Sequence, residues 1–529
     1  MGISALLANA TIVDGTGGRP FVTDVAVVGD RIAAIGGIAD REARERIDCT
    51  GKILAPGFID VHSHSDELWL ALPRCDGKIA QGVTTEIGGN CGTSVAPLYG
   101  ASALEGVERS AKHTGIDVTW RSLDEFFSLV ERNRTALNVA TLVGLGTTRS
   151  AVAGDSERTL DRDELAAQAA LVRQSCEQGA LGVSSGLIYP PSSYADRDEL
   201  VAMACAARDA GSPIYASHIR DEGDGLVEAI SEALEVGRRA EIGVQCSHHK
   251  ASGKRNWGKV HQTLAMIDRA RTSGSIAHCD VYPYVASWTE LATILPADVR
   301  LGGREATLER LRDPASATAV ALALGLRQAG EWHDIMVTEA GSAKNAELAG
   351  MRVDEIAARW NLTPPIAAIR LLVEEELEVG AVFFKMCEDD VAAVLSADFC
   401  CVGSDASVRA LQGPTARGVP HPRTFGTFPR IVGRFVRELG TLDLPEAVRR
   451  MTSLPADIFG LRGRGTIAAG NYADLVIFDE KTIRDRGTYE KPYAFPSGLE
   501  HVLVNGHSVL RDGKFTNELP GRVLRNGGR

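Results

Sequence analysis

The sequence predicts an α/β protein whose core is a TIM-like (β/α)8 barrel, joined to a small β-sandwich domain built from both chain ends. Eight short apolar runs recur along the middle of the chain, and most are separated by segments with helical spacing of apolar residues. Strand-like runs with Gly and Asp turn signals occupy both ends. Short strands that alternate with helices are typical of a barrel whose strands are covered on both faces.

Strand-like runs at the two chain ends define the predicted small domain. The clearest of them are Leu6–Val13, Val25–Val28, Ala473–Phe478 and His501–Gly506. We therefore expect residues 1–56 and 459–529 to form the two parts of one β domain, and residues 57–458 to form the catalytic barrel.

The apolar runs of the middle region are the predicted barrel strands. They are Phe58–Val61, Thr84–Ile87, Val139–Val143, Leu181–Ser184, Ile214–Ala216, Gly243–Cys246, Ile276–Cys279 and Phe399–Gly403. The segments 163–176 and 224–240 between them each place apolar residues on one helical face. Two connections, near 92–137 and near 288–398, are too long for one helix, so we interpret both as insertions into the barrel.

Composition limits the classes of function. The 529 residues carry a formal net charge of −12, which argues against non-specific binding to nucleic acid or to an anionic membrane. No apolar run reaches the roughly 18 residues of a spanning helix, and the N-terminal residues lack the pattern of a signal peptide. The ten scattered cysteines form no CxxC pair, which is typical of reduced thiols in a cytoplasm. We expect a cytoplasmic protein with a small-molecule substrate, and the edges of its β domain allow association into a homo-oligomer.

Metal-capable side chains follow five of the eight predicted strands. They are His62 and His64 after the first run, Cys91 after the second, His218 after the fifth, His248 after the sixth and Asp405 after the eighth. Each alone has an ordinary structural explanation, such as a buried thiol or a helix-capping carboxylate. Together they are expected to converge, because barrel chemistry lies at the C-terminal ends of the strands and alternate strand residues share a face. Imidazole, thiolate and carboxylate gathered at one point are a ligand set most natural for zinc.

Several longer motifs occur in a fixed order along the chain. They are GFIDVHSHSD, GGNCG, ASHIR, SHHK, GSD, PHPR and GTFPR. In these motifs the chain resembles the D-aminoacylase branch of the amidohydrolase superfamily, the N-acyl-D-amino-acid deacylases, over nearly its whole length. The resemblance implies a metal-dependent hydrolase barrel that uses zinc to hydrolyse the amide bond of N-acyl-D-amino acids, giving a carboxylate and a free D-amino acid.

The resemblance also implies the metal ligands and the general base. The implied sites are a tight zinc site of Cys91, His218 and His248, and a second, weaker metal position of His62, His64 and the shared Cys91. The strand-two cysteine replaces the carboxylated lysine that bridges two metals in most of the superfamily, since the fourth strand region, residues 181–186, contains no lysine. Asp405 is then the residue that takes a proton from the attacking water and delivers it to the leaving amine.

A substrate that carries a carboxylate needs a cationic partner. The resemblance assigns this role to Arg423, whose planar guanidinium suits bidentate recognition, and to Tyr189 and Tyr282. Lys250, two residues after His248, shares its face and is a further candidate to meet an acid group. Where several relatives have a serine close to the substrate carboxylate, this chain has Trp288, so the preferred side chain of the substrate stays open.

Other functions also remain open from the sequence. A dipeptidase or a hydrolase of N-carbamoyl or cyclic amides would use the same metal chemistry with a different pocket. A non-catalytic binding barrel is a further alternative, although the complete set of Cys91, His218, His248 and Asp405 argues against it. A phosphate-ester hydrolase is disfavoured, because the bridging lysine is missing and no Gly-rich phosphate cradle stands out.

Overall fold

The protein is described here from a computed structural model. The structure describes residues 2–38, 41–112, 114–327 and 330–528. In these ranges a barrel of parallel strands and helices is joined to a β domain that contains strands from both chain ends, which confirms the predicted fold class. No helix within the described ranges is both long enough and apolar enough to cross a lipid bilayer.

The strands fall into four hydrogen-bonded sheets. In chain order they are β1 (Ile3–Ile12), β2 (Phe21–Val28), β3 (Arg31–Ile35), β4 (Ala43–Asp48), β5 (Ile53–Pro56), β6 (Phe58–Asp60), β7 (Val83–Gly88), β8 (Asn138–Thr141), β9 (Val143–Gly144), β10 (Gly182–Gly186), β11 (Ile214–His218), β12 (Gly243–Cys246), β13 (Ala277–Val281), β14 (Ser287–Glu290), β15 (Ile335–Ala340), β16 (Val379–Phe383), β17 (Cys400–Val402), β18 (Leu475–Phe478), β19 (Leu499–Val504), β20 (His507–Arg511) and β21 (Lys514–Phe515).

The α-helices cover the outside of the barrel and form most of the insertions. In chain order they are α1 (Leu68–Ala71), α2 (Asp76–Ile79), α3 (Ala101–Ala111), α4 (Leu123–Asn133), α5 (Leu145–Ala153), α6 (Arg162–Glu177), α7 (Arg197–Asp209), α8 (Leu226–Ala240), α9 (Lys259–Thr272), α10 (Gly303–Arg312), α11 (Pro314–Arg327), α12 (Val353–Trp360), α13 (Pro364–Glu374), α14 (Glu388–Ser396), α15 (Arg423–Arg430), α16 (Leu444–Met451) and α17 (Ser453–Ile458). A π-helical segment, Ile431–Glu438, directly continues α15.

The barrel strands are buried at every position, which explains why they read as short apolar runs. β6, β7 and β8 form one parallel sheet, and β9 to β13 with β17 form another. The third strand of the barrel is split into β8, which pairs with β7, and β9, which pairs with β10. The barrel closes where the backbone N–H of Asp405 donates to the carbonyl of His62 at 2.8 Å and Ser63 pairs with Ala406.

Strands from both chain ends form one nine-stranded sheet. The central pairing is antiparallel, between β5 and β18, and it sets Leu54 opposite Ile477. One face of this sheet buries its own apolar cluster, which includes Leu7, Val25, Leu54 and Leu475. This pairing joins segments more than 400 residues apart at the entrance to the first barrel strand, so the two chain ends are part of one structure.

The connection between β13 and β17 contains a small unit with its own core. β14, β15 and β16 form an antiparallel sheet against α10 to α13. Leu291, Leu324, Ile335 and Leu372 belong to a buried apolar cluster that is separate from that of the barrel. The unit begins directly after the end of the seventh barrel strand, so its first strand, β14, lies beside the open end of the barrel.

Candidate metal centre and active site

Four potential metal ligands meet at the C-terminal ends of the barrel strands. The Sγ of Cys91 lies 3.3 Å from Nε2 of His62 and 3.5 Å from Nε2 of His248. A carboxylate oxygen of Asp405 belongs to the same group, whose ligand atoms all lie within 4.8 Å of one another. These residues follow β6, β7, β12 and β17, so strands distant along the chain deliver their side chains to one point.

His218 and His64 adjoin this group. Nδ1 of His218 lies 3.0 Å from Nε2 of His248, and Nε2 of His218 is buried without a hydrogen-bond partner in the described part of the chain. Nε2 of His64 lies 3.1 Å from Oδ1 of Asp405. The structure therefore brings all of the predicted metal residues and the predicted base into one cluster.

Three members of the cluster have an unusual backbone conformation. Cys91, His248 and Asp405 have φ angles of +53°, +36° and +51°, in the left-handed region that favours glycine. Each such residue costs about 1–3 kcal/mol, and it persists where the surrounding structure fixes it. This conformation turns each side chain sharply from the end of its strand towards the common point.

The charges of the cluster suit a cation. Burial opposes ionisation of the Cys91 thiol, but the imidazoles of His62 and His248 outweigh burial and hold its pKa well below the ordinary value. Burial likewise opposes ionisation of Asp405, and Arg423 and His248 outweigh it, so the pKa of this carboxyl is also held well below its usual range. Burial opposes protonation of His62 and His248, but Cys91 with Asp280, and Glu222 with Cys91, outweigh it and raise the pKa of these two imidazoles, so a metal that binds here displaces protons.

Two further carboxylates orient the histidine rings. Oδ1 of Asp280 lies 3.2 Å from Nδ1 of His62, and Oε1 of Glu222 lies 2.9 Å from Nδ1 of His248. Each carboxylate stands at the outer nitrogen of its ring, and Nε2 of each ring is directed at Cys91. Nδ1 of His248 also lies 2.8 Å from Nζ of Lys250. A thiolate with imidazoles that are fixed by carboxylates is a donor set that fits zinc.

The sequence prediction missed Glu222. Glu222 lies in the loop after β11, four residues beyond His218, and its carboxylate also contacts Lys250. Burial alone would raise the pKa of Glu222, but Lys250 and His248 hold it well below its usual range. The spacing to His218 is the one signal that was available in the sequence.

A cavity of about 770 Å³ opens above the cluster. Three of the predicted substrate-binding residues, Tyr189, Lys250 and Trp288, lie in its wall. The hydroxyl of Tyr189 lies 2.8 Å from Oγ1 of Thr289, and Nε1–H of Trp288 donates to Oγ1 of Thr338 at 2.9 Å. Both bonds involve β14 of the inserted unit, so this unit forms one side of the cavity.

Arg423 and Tyr282 are placed differently. Both are fully buried and adjoin the cluster, but they do not contribute to the cavity wall. Nη1 of Arg423 lies 2.9 Å from Oδ2 of Asp405, and its guanidinium stacks over the Tyr282 ring with 4.5 Å to the ring centroid. Within the described residues, Asp405 is the one acid paired with this guanidinium, and Nη1 is buried without a well-aligned hydrogen bond.

Comparisons with known proteins agree with this geometry. A sequence model of the amidohydrolase family matches residues 45–510. The N-acyl-D-glutamate deacylase of Alcaligenes xylosoxydans xylosoxydans is 37% identical over 525 residues, which cover 99% of this chain and 96% of that protein. The D-aminoacylase of the same organism is 36% identical over 521 residues, which cover 98% of this chain and 97% of that protein.

A solved structure shows the same fold over the whole chain. It is the crystal structure of an N-acyl-D-glutamate deacylase from Bordetella bronchiseptica, complexed with zinc and a phosphonate inhibitor that mimics the tetrahedral intermediate of the reaction. The TM-score is 0.84 at 35% sequence identity, and the match covers 99% of this chain and 100% of that chain.

Proposed function

The chain belongs to the amidohydrolase family, in its D-aminoacylase branch, and on this premise we propose that it hydrolyses N-acyl-D-amino acids to a carboxylate and a free D-amino acid in a zinc-dependent reaction. The observation that carries the proposal is the cluster of Cys91, His218 and His248 with Asp405 beside it. The relatives named as deacylases, and the zinc and inhibitor bound in the Bordetella protein, support this reaction type.

We propose that Cys91, His218 and His248 hold a tightly bound zinc ion. His62 and His64, with the shared Cys91, form a second and weaker position. A zinc ion in the tight site would polarise the acyl carbonyl as a Lewis acid and would lower the pKa of its bound water towards about 7. Cys91 anchors the tight site, since a thiolate is a strong zinc ligand.

Asp405 performs the proton transfers in the proposed reaction. It is ionised, and its Oδ1 lies 3.6 Å from Nε2 of His62, so it stands beside the metal position and can accept a proton from the attacking water. The same carboxyl then delivers that proton to the nitrogen of the scissile amide. This second transfer is needed because a free amide anion is a poor leaving group.

The substrate carboxylate is bound by the cationic and phenolic groups around the cluster. We propose that Lys250 and Tyr189 contact it from the cavity wall. Arg423 and Tyr282 do not line the cavity, so we propose that the substrate carboxylate reaches Arg423 by entering beside Asp405, the partner of this guanidinium. Trp288 bounds the space for the amino-acid side chain. A guanidinium shared between the substrate and Asp405 would couple substrate binding to the position of the base.

The cytoplasm is the compartment we propose for this reaction. All ten cysteines are free thiols in the structure, and Cys91 has to stay reduced to bind a metal. Oxidation of this thiol would remove the zinc ligand.

Substrate specificity provides the direct test of the proposed activity. Purified protein of known zinc content should release amine from N-acetyl or N-formyl D-amino acids and leave their L-enantiomers unchanged. Release from dipeptides, N-carbamoyl amino acids or cyclic amides alone would assign the same metal site to the alternative hydrolase. No release from any of these compounds, with zinc absent from carefully prepared protein, would contradict an enzymatic role.

Glu222→Gln is expected to weaken zinc binding by about 10–100-fold while the fold is retained. The reason is that a glutamine does not hold the His248 ring as a carboxylate does at 2.9 Å from Nδ1. The measurement is zinc competition with a chromophoric chelator. Glu232→Gln is the matched control, because Glu232 is a nearby acid that pairs with Arg220. Equal zinc affinities for the two variants would contradict this role for Glu222.

A further inference from the structure

We propose that Lys78 is a positioning residue for Asp405. This inference rests on the proposed function, because it assigns Lys78 a role in the same proton transfers. Lys78 is fully buried in the short helix α2, far along the chain from Asp405, and it does not line the cavity. None of the sequence motifs described above includes it.

The ammonium group of Lys78 connects three strand ends. Its Nζ donates to Oδ2 of Asp60 at 2.7 Å, on β6, and lies 2.9 Å from Oε1 of Glu86, on β7. It also donates to Oγ of Ser404 at 2.8 Å and to the carbonyl of Ala406 at 2.9 Å. The last two contacts flank Asp405, one at the side chain of Ser404 and one at the backbone of Ala406, so one buried cation holds the catalytic turn from both sides.

The two carboxylates extend this hold to the neighbouring turns. Oδ1 of Asp60 accepts from the backbone N–H of Ser404 at 2.8 Å. Glu86 accepts from the hydroxyl of Ser65 at 2.6 Å, and this hydroxyl in turn accepts from the backbone N–H of Val408 at 2.7 Å. The segment on either side of Asp405 is therefore tied to the strands that carry the first two metal-ligand positions.

This network accounts for the left-handed backbone of Asp405. A residue at φ +51° relaxes unless its neighbours are fixed, and Lys78 fixes both of them. The backbone before this turn packs closely against His62, because a Cβ at Gly403 would lie 2.6 Å from the Cβ of His62. Loss of the cation would release the turn and displace the Asp405 carboxylate, whereas two of the three tight zinc ligands, His218 and His248, lie at the ends of strands that Lys78 does not contact.

Lys78→Met is expected to lower kcat for a D-acyl substrate by about 10²-fold, the effect of a displacement of about 1 Å, with KM changed by less than about threefold and zinc content unchanged. The readout specific to positioning is a double-mutant comparison. In the Asp405→Asn background the same Lys78→Met change is expected to have almost no further effect on kcat, because there is no base left to position.

Arg464→Met is the matched control for lost stability. Arg464 is also a buried cation, paired with Asp474 and Asn505 in the small domain, and it does not line the cavity. It should lose thermal stability as Lys78→Met does, yet keep kcat within about twofold. Ser404→Ala removes the Lys78 contact to Oγ together with the bond that this oxygen accepts from the backbone N–H of Ala406 at 3.2 Å, and it leaves both carboxylates paired with Lys78. It is the second variant in case Lys78→Met does not fold, and it should lower kcat by about 5–10-fold.

The outcomes separate the two claims. Full activity in Asp405→Asn would overturn the proposed mechanism whatever Lys78 does. If Asp405→Asn is inactive and Lys78→Met has the same kcat as Arg464→Met, the positioning role alone is overturned. An equal loss from Lys78→Met in both backgrounds, or an unaltered kcat in Ser404→Ala when Lys78→Met fails to fold, would overturn it as well.

Discussion

Asp405→Asn is expected to lower kcat for a D-acyl substrate by about 10²–10⁴-fold, the range that general acid–base catalysis contributes. Asparagine has nearly the shape of aspartate but does not accept a proton near neutral pH, so both proton transfers are lost. Asparagine also tolerates the left-handed backbone that position 405 adopts at φ +51°. The fold and the zinc content should therefore be retained, and steady-state kinetics with metal analysis of the same sample measures both.

Asp390→Asn is the control for this substitution. Asp390 is another buried carboxylate, and it accepts from the backbone N–H of Gly258 at 2.9 Å, on the helical layer outside the barrel. It should lose some stability and keep near-normal turnover in the folded fraction. Near-normal turnover in Asp405→Asn itself would remove this residue from the mechanism.

Cys91→Ala is expected to abolish tight zinc binding and to lower activity by more than about 100-fold. Loss of a residue that only supports a metal-bound histidine costs about 10–100-fold, and loss of a ligand itself should cost more. The thiolate faces the Nε2 atoms of His62 and His248 at 3.3 and 3.5 Å. Without the thiolate, the imidazoles of His218 and His248 are the two remaining ligands of the tight site. Zinc content after dialysis against a weak chelator, followed by the rate of amine release, measures the effect.

Cys246→Ala tests whether this loss is specific. Cys246 is a buried barrel thiol on β12, and burial raises its pKa to about 12, as expected for a thiol without a cationic partner. Its replacement by alanine should leave zinc binding and activity close to those of the unaltered protein. A Cys91→Ala protein that binds zinc as tightly as Cys246→Ala would show that the thiolate is not a ligand.

The barrel was predictable because burial on both faces makes its strands apolar. The predicted runs agree with the strands to within two residues. The runs at 181–184 and 214–216 end early, because the backbone pairing continues through Ser185 and Ser217, whose hydroxyls lie 3.1 Å apart inside the barrel. The runs at 58–61 and 399–403 extend one residue beyond the paired backbone. The polar residues at the strand ends were predictable for the same reason, since strand ends of a barrel share one face.

Other features depend on tertiary contacts that sequence spacing does not reveal. Glu222 acts through His248, which is 26 residues away in the chain, so its role appears when the two loops meet. The pairing of Arg423 with Asp405 was also not visible, because it depends on how the segment after β17 returns to the cluster. Lys78 lies in a helix of four residues that has no pattern of its own, and its partners come from three separate strand ends.

Zinc held by this cluster is proposed to serve the hydrolysis of D-acyl substrates, and the dependence of the rate on zinc tests this directly. Metal-free protein should be titrated with zinc while amine release is recorded for one enantiomeric pair of an N-acetyl amino acid. We predict that release from the D-enantiomer rises with zinc and reaches its maximum near one equivalent per chain, while the L-enantiomer stays unreacted. Release that does not depend on zinc, or no release from the D-enantiomer of any amino acid in the zinc-loaded protein, would contradict the account.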